Sequence, residues 1–293
     1  VRSKIAAVIE RVRPSDLENA LSRERFLAGL PPSIFGTTGG NTPCIEVRTD
    51  DDRLIILDGG TGLRDLGLSL EKRKDPTREF PIFFSHFHWD HVQGVPFFGP
   101  AWGKGNRVIF ASPFPSIERT MKEQMKPPYF PVGMDAMPAE LRFVYLQGQS
   151  VRIGGAEILW KRMNHPGGSF AYKITENGRS VIYATDSEVT DGEFRQREEN
   201  RAFFESADVL ILDSQYTLEE SFSKFDFGHT SYTMAVNLAV EWKVKRLVLF
   251  HHEPRYDDRK IFGIQRSARW HKGQLGGAEL DIRAAQEGME LSV

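Results

Sequence analysis

The chain of 293 residues has one cysteine, Cys44, so no internal disulfide can brace it. Set in the apolar stretch Pro43-Cys44-Ile45, that thiol reads as a small core residue in a reducing compartment, and a cytoplasmic place is expected. Neither sign of charge predominates. Against 38 Lys+Arg stand 40 Asp+Glu, a formal net charge of -2, which excludes both a strongly basic nucleic-acid coat and an acidic tail. Long apolar runs are missing too: the longest uncharged stretch, Phe26 to Ile45, is broken by Pro31, Pro32, Pro43 and four glycines, and cannot cross a membrane as a helix. No secretory signal pattern opens the chain, although its first residue is Val1 rather than Met, which leaves a start farther upstream open. Internal repeats and low-complexity linkers are absent. What is plentiful is globular composition, 40% hydrophobic and 27% charged, on a chain long enough to bury a full core.

Residues 3 to 22 carry Ile5, Val8, Ile9, Val12, Leu17 and Leu21 at helical spacing among charges, which predicts a peripheral helical extension over residues 1–30. One domain is expected over 31–293. From Ile34 the pattern changes to short β-rich runs separated by Gly, Asn and Asp: 44–47, 54–57, 82–84 and 108–110, then 157–160, 170–174, 180–183, 209–212 and 247–250. Helical patterning recurs over Ser116 to Gln124, Tyr232 to Trp242 and Asp258 to His271. Strands first, then strands alternating with helices, fit an α/β protein with two packed sheets and helices outside.

The segment Phe84-Ser85-His86-Phe87-His88-Trp89-Asp90-His91 follows an apolar strand. In an extended chain, residues two apart face the same side, so His86 and His88 can share one metal while Phe87 points to the core. Asp90 and His91 are then left for a second ion, brought round by the turn at Val92-Gln93-Gly94 with no helix required. Three histidines and a carboxylate within six residues are hard to explain as packing, because unpartnered buried imidazoles are costly.

This His-x-His-x-Asp-His run resembles the signature of the metallo-β-lactamase superfamily, and the resemblance extends over residues 34 to 293. It implies an αββα sandwich of two mixed sheets flanked by helices, with a dinuclear metal centre. Asp58, in Leu57-Asp58-Gly59-Gly60, resembles the strand-ending aspartate that supports the metal loop. His165 before Pro166 resembles the isolated third ligand of the first ion, and Asp186 the bridging carboxylate. Either His251 or His252 matches the histidine that completes the second ion; family register puts it directly after the apolar strand and favours His251. The implied sets are His86, His88 and His165 on one ion, and Asp90, His91 and His251 on the other, with Asp186 between. The donors suit zinc and tolerate manganese or iron. Asp58 and Asp186 are also ordinary turn or cap residues, so the joint pattern carries the weight.

Two divalent ions sharing a water lower its pKa and offset charge at phosphorus or carbonyl carbon, so hydrolysis is the implied reaction. Asp186 stands where many true β-lactamases carry cysteine, which disfavours lactams. Asp213, after the apolar run 209–212, and His229, in Phe227-Gly228-His229-Thr230-Ser231, are similar to the acid and histidine of ribonuclease Z and related phosphodiesterases. The resemblance makes Asp90, His229 and Asp213 catalytic: a metal-bridged hydroxide attacks, and His229, oriented by Asp213, protonates the leaving alkoxide. The bland alternative is that Thr230-Ser231 cap a helix and His229 is solvated.

No long Gly/Pro-rich tRNA-binding arm is evident in the sequence, and Lys72-Arg73-Lys74, the one compact basic run, reads as a solvated loop. No extended nucleic-acid surface is expected. The runs at Gly39-Gly40-Asn41-Thr42, His86 to Gly94 and His251 to Tyr256 resemble cyclic-phosphate phosphodiesterases, which implies a small cyclic phosphate or cyclic nucleotide as substrate. An RNA 3′-processing endonuclease, a lactonase and a non-catalytic nucleotide sensor are the alternatives. Relatives in the superfamily often dimerise, so a homodimer is an expectation as well. Gly39-Gly40-Asn41-Thr42 offers either backbone N–H groups to a phosphate or a plain tight turn. The proline- and aromatic-rich stretch Met121 to Met137 serves either as a lid or as core of a long crossover. Arg255 and Tyr256 lie close enough in sequence to His251 to reach substrate.

Overall fold

The computed structural model describes residues 1–31, 33–35, 38–190, 192, 198–276 and 279–293. Two mixed sheets form its centre. The first runs β1 (Ile45–Arg48), β2 (Leu54–Leu57), β3 (Glu79–Phe83), β4 (Arg107–Ser112) and β5 (Glu140–Tyr145) in that order, antiparallel only at β1–β2. The second has the order β12-β11-β10-β9-β8-β7-β6, comprising β6 (Ser150–Ile153), β7 (Ala156–Met163), β8 (Ser169–Glu176), β9 (Arg179–Ala184), β10 (Val209–Asp213), β11 (Arg246–Phe250) and β12 (Asp281–Ala284). Its strands are antiparallel from β6 to β9 and parallel from β9 to β12.

Why these runs become strands buried on both faces is visible in β2, where all four residues of Leu54-Ile55-Ile56-Leu57 are buried. Alternate side chains leave opposite faces of a strand. Ile55 and Leu57 enter the layer between the sheets with Phe83, Tyr172, Tyr183, Ile211 and Val248. Leu54 and Ile56 face the outer helices, packing with Leu63, Leu66 and Leu70 from Gly62–Arg73 and with Ile117 and Met121 from Ile117–Gln124. On the far side, Leu210, Leu212, Leu247 and Leu249 pack against Ala235, Val236, Leu238 and Ala239 of Tyr232–Glu241 and against Ile264 and Ala268 of Asp258–Gln274. The layers are therefore helix, sheet, sheet, helix, as the resemblance implied.

At the N-terminus, the helices Arg2–Ile9 and Ala20–Ala28 and the 3-10 turn Pro14–Leu17 bury no side chain. An ion pair between Lys4 and Asp258 ties the first of them to the domain. Among the described residues no helix is long and apolar enough to cross a membrane.

Several expectations are corrected. Lys72 and Arg73 are not in a loop: they close the last turn of Gly62–Arg73, where positive charge complements the helix C-terminus, and Arg73 pairs with Glu46 at 3.0 Å. Asp90 and His91 do lie on a helical turn, Trp89–Val92. Phe87 does pack against the core beside Phe84, although it stays half-buried. Strands β5, β6 and β12 had no counterpart in the sequence reading.

Candidate metal centre

The chemistry-bearing residues converge because their strands point the same way. Asp58 follows β2, the His86–His91 run follows β3, His165 follows β7, Asp186 follows β9, Asp213 ends β10, and His251 follows β11. Two antiparallel steps leave β7 parallel to β9, so the carboxyl ends of β7, β9, β10 and β11 share one edge of the second sheet. Three of these residues turn the chain sharply at positive φ: Asp58 at 60°, Asp186 at 45° and His251 at 57°. Such conformations cost about 1–3 kcal/mol each for residues other than glycine and concentrate at functional sites.

Asp58 is fully buried. It accepts from Ser85 N and Ser85 Oγ at 2.7 Å each, from the Tyr183 hydroxyl at 2.7 Å and from His91 Nδ1 at 2.8 Å. Occupying Nδ1 leaves Nε2 of His91 as the lone-pair nitrogen, the arrangement that supports a metal-binding imidazole from behind. His165 is held alike, with Nδ1 donating to Gly228 O at 2.9 Å. His86 Nδ1 lies 3.0 Å from Ser85 Oγ. Ser85, Tyr183 and Gly228 escaped the sequence reading; of the three, only Gly228, beside His229, carried a local signal.

The nitrogens and carboxylate oxygens fall into three groups, His86, His88, His165, Asp186, then Asp90, His91, Asp186, His251, and beside them Asp213, His229, His251, with the ligand atoms of each within 4.8 Å of one another. Asp186 divides between the first two. Its Oδ2 lies 3.6 Å from His86 Nε2 and 3.7 Å from His165 Nε2, while Oδ1 lies 3.0 Å from His91 Nε2 and 3.1 Å from His251 Nε2. Asp90 Oδ2 completes the second group at 3.3 Å from His91 Nε2 and 3.2 Å from His251 Nε2. The alternative His252 is elsewhere: its Nε2 bonds to Ala285 O at 3.1 Å.

These residues fit divalent cations. His86 Nε2 is buried with no hydrogen-bond partner, and His91 Nε2, though close to the Asp186 and Asp90 carboxylates, makes no well-aligned hydrogen bond, an expensive arrangement that a cation would relieve. His165 Nε2 stands 3.1 Å from His88 Nδ1, and the His86 and His88 rings are 4.4 Å apart. Burial, with the neighbouring His91, pushes His86 down to about 2, so it presents a lone pair at any working pH. Burial opposes charge on His251, but Asp186 and Asp90 outweigh it and raise that imidazole to about 9. A cation competes with that proton for the same carboxylates.

Beside the cluster lies His229, whose Nδ1 donates to Asp213 Oδ2 at 2.7 Å. Asp213 is buried, and its other oxygen accepts from Gln215 N at 3.1 Å and Thr230 N at 3.2 Å. The His229 ring stacks on His251 with centroids 5.1 Å apart and meets His165 edge-on at 5.3 Å. Burial lowers its basicity, but the Asp213 carboxylate outweighs this and holds it above the ordinary histidine range. Ser231 caps the next helix, accepting from Met234 N at 3.3 Å, so His229 itself is spared for other work.

Other expected contributors stand apart from the cluster. The N–H groups of Gly39, Gly40 and Asn41 all point at the Glu287 carboxylate instead of a ligand. Arg255 pairs with Glu253 at 2.9 Å, and the Tyr256 hydroxyl donates to Glu220. Met121, Met125, Met134 and Met137 are core, whereas Tyr129 is exposed and meets exposed Trp89 edge-on at 6.4 Å. Burial, reinforced by Asp58 and Glu46, raises the Cys44 thiol far above its ordinary range, so it is no nucleophile.

A helix-sheet-sheet-helix sandwich with a histidine and aspartate cluster at its strand ends defines a metallo-β-lactamase fold. The family model described as a beta-lactamase superfamily domain matches residues 53–252, and the chain belongs to that superfamily. It is 25% identical to a ribonuclease Z from Salinispora arenicola over an alignment of 281 residues, covering 75% of this chain and 82% of that one. The metallo-beta-lactamase fold protein YhfI from Bacillus subtilis superposes with a TM-score of 0.62 at 17% identity, covering 87% of this chain and 95% of that one. A diphosphatase from the PhnP family superposes with a TM-score of 0.62 at 18% identity, covering 86% and 84%.

Proposed function

We propose that the chain is a metal-dependent hydrolase that cleaves phosphodiester bonds, with a small cyclic phosphate or cyclic nucleotide as substrate. The observation that carries this reading is the His229–Asp213 pair, hydrogen-bonded at 2.7 Å and set against His165 and His251. Two cations, zinc foremost, would be held by His86, His88 and His165 and by Asp90, His91 and His251, with Asp186 shared. Bound there, such ions supply Lewis acidity, making water a nucleophile near neutral pH and offsetting charge at phosphorus.

The chain's own residues do the rest. Asp58 and Gly228 O fix the tautomers of His91 and His165. With its Nδ1 engaged by Asp213, whose carboxylate raises its basicity, His229 holds a proton to higher pH than an ordinary imidazole and can pass one from Nε2 to the leaving alkoxide. Asp213 acts through His229 as a positioning residue. An alkoxide leaving phosphorus needs a proton near neutral pH, and an imidazole held by a buried carboxylate is suited to give it.

The names ribonuclease Z and diphosphatase among the relatives agree with chemistry at phosphorus. They also favour a second reading, cleavage of RNA 3′ ends. The absence of an obvious tRNA-binding arm in the sequence and a net charge of -2 support the small substrate. The test is one metal-quantified preparation assayed against bis(p-nitrophenyl) phosphate, 2′,3′-cyclic nucleotides, a precursor tRNA and a homoserine lactone. Cleavage of the first two with near two metals per chain is expected; cleavage of the precursor alone moves the assignment to RNA, and of the lactone alone overturns it. His229→Ala should lower phosphodiester turnover by about 10²–10⁴-fold with metal content retained, and unchanged turnover would remove the proton-donor role.

A further inference from the structure

A cleft of about 190 Å³ opens against His86 and His88, bounded also by Phe87, Phe114, Pro166 and Gly168. Phe114 is half-buried and packs with Phe87 at 5.6 Å and with Phe170 at 5.1 Å between ring centroids, so the wall is an aromatic corner supported from behind. At the rim, Gly168 has φ 86°, and a Cβ there would stand 2.8 Å from Arg162 Nη2 and 3.2 Å from its Cζ. The guanidinium thus lies against bare backbone. Arg162 is exposed and has neither an ion pair nor a hydrogen bond with any described residue. The cleft holds the volume of about six liquid waters, room for one flat ring system rather than a folded strand.

We propose that this cleft is the base subsite of a nucleotide substrate: a nucleobase stacks on the Phe87–Phe114 corner, Arg162 donates to acceptors on its edge, and the attached phosphodiester falls at His86 and His88. The proposal deepens the phosphodiesterase reading and rests on it. Every nucleobase has a π-face, so stacking is tolerant of sequence, and a planar guanidinium both stacks and donates from one position. A histidine group at one end, an aromatic corner along the side and, beside Gly168, a cation with no partner among the described residues fit a base-bearing ester; a bare sugar phosphate would use only the first.

The test compares kcat/KM of the metal-loaded full chain for a 2′,3′-cyclic nucleoside monophosphate with that for a base-free ribose cyclic phosphate. Phe114→Ala should lower the nucleotide-to-base-free ratio about tenfold, chiefly through KM, and Phe114→Trp should restore it. Arg162→Ala, at an exposed position, should lower the same ratio and serves if the Phe114 variant does not fold. Loss of both substrates by one factor, or of neither, overturns the assignment. Equilibrium titration with AMP separates the two layers of argument. Weaker AMP binding in the variants supports the cleft even if the wild type cleaves no phosphodiester, an outcome that would sink the phosphodiesterase reading alone. Equal AMP binding in wild type and variants overturns the cleft whatever the turnover.

Discussion

Asp213 sets the charge of His229: its carboxylate outweighs the burial that would neutralise the ring. The sign of the consequence follows. In the proposed mechanism His229 is active while protonated, so turnover should fall as pH rises through its raised pKa. Asp213→Asn removes the opposing charge, and the alkaline fall of kcat/KM should move to lower pH, read from a pH–rate profile. Gly228 makes a second residue-scale case. Its φ is 83°, and a Cβ would stand 2.3 Å from His165 Nδ1. Gly228→Ala should displace the ring and weaken metal affinity by about 10–100-fold, measured by competition with a chromogenic chelator. At this scale the sequence was most legible. His86, His88, Asp90 and His91 are adjacent, so their spacing states their chemistry. Ser85 and Tyr183 were illegible because nothing local in a serine or a strand tyrosine says that it will meet an aspartate from another strand.

Elements carry their own tests. Glu220 sits in the short helix Leu218–Phe222, where burial would raise its carboxyl but hydrogen bonds from Lys260, Tyr256 and Thr217 hold it down at about 2. A depressed folded pKa stabilises fully above the ordinary carboxylate value of 4.5, and the contribution is lost as pH falls toward 2. Tm of Glu220→Gln should therefore decline less steeply than wild type across that window. The helix Gly62–Arg73 shows why elements hid. Leu63, Leu66, Gly67 and Leu70 form its buried face at helical spacing, but Gly62 and Gly67 weaken the helical pattern. Gly67 is there because the chain at Phe98–Pro100 passes within 3.3 Å of where its Cβ would stand. Strand β5 failed to register for another reason: it is an edge strand with four of its six residues exposed, so it lacks the continuous apolar run that marked β2 and β10.

For the whole molecule the cluster is also a fastener. Two buried imidazole nitrogens without a well-aligned hydrogen bond make the metal-free form costly, so chelation should lower Tm on the order of 5–10 °C, with recovery on adding a divalent cation at about a hundred times its Kd. Differential scanning calorimetry with and without EDTA reads this, and an unchanged Tm would count against metal binding by these residues. The sandwich as a whole was readable because strands buried on both faces announce themselves. Sheet order was not, since it depends on which strands meet across the molecule. Asp90 and His251, which face each other at 3.2 Å, are 161 residues apart along the chain. During synthesis the last of the four side chains around His86, that of Asp186, emerges from the ribosome well before His251, the last of those around His91. A nascent chain therefore completes its two groups of candidate ligands in a fixed order, one long before the other.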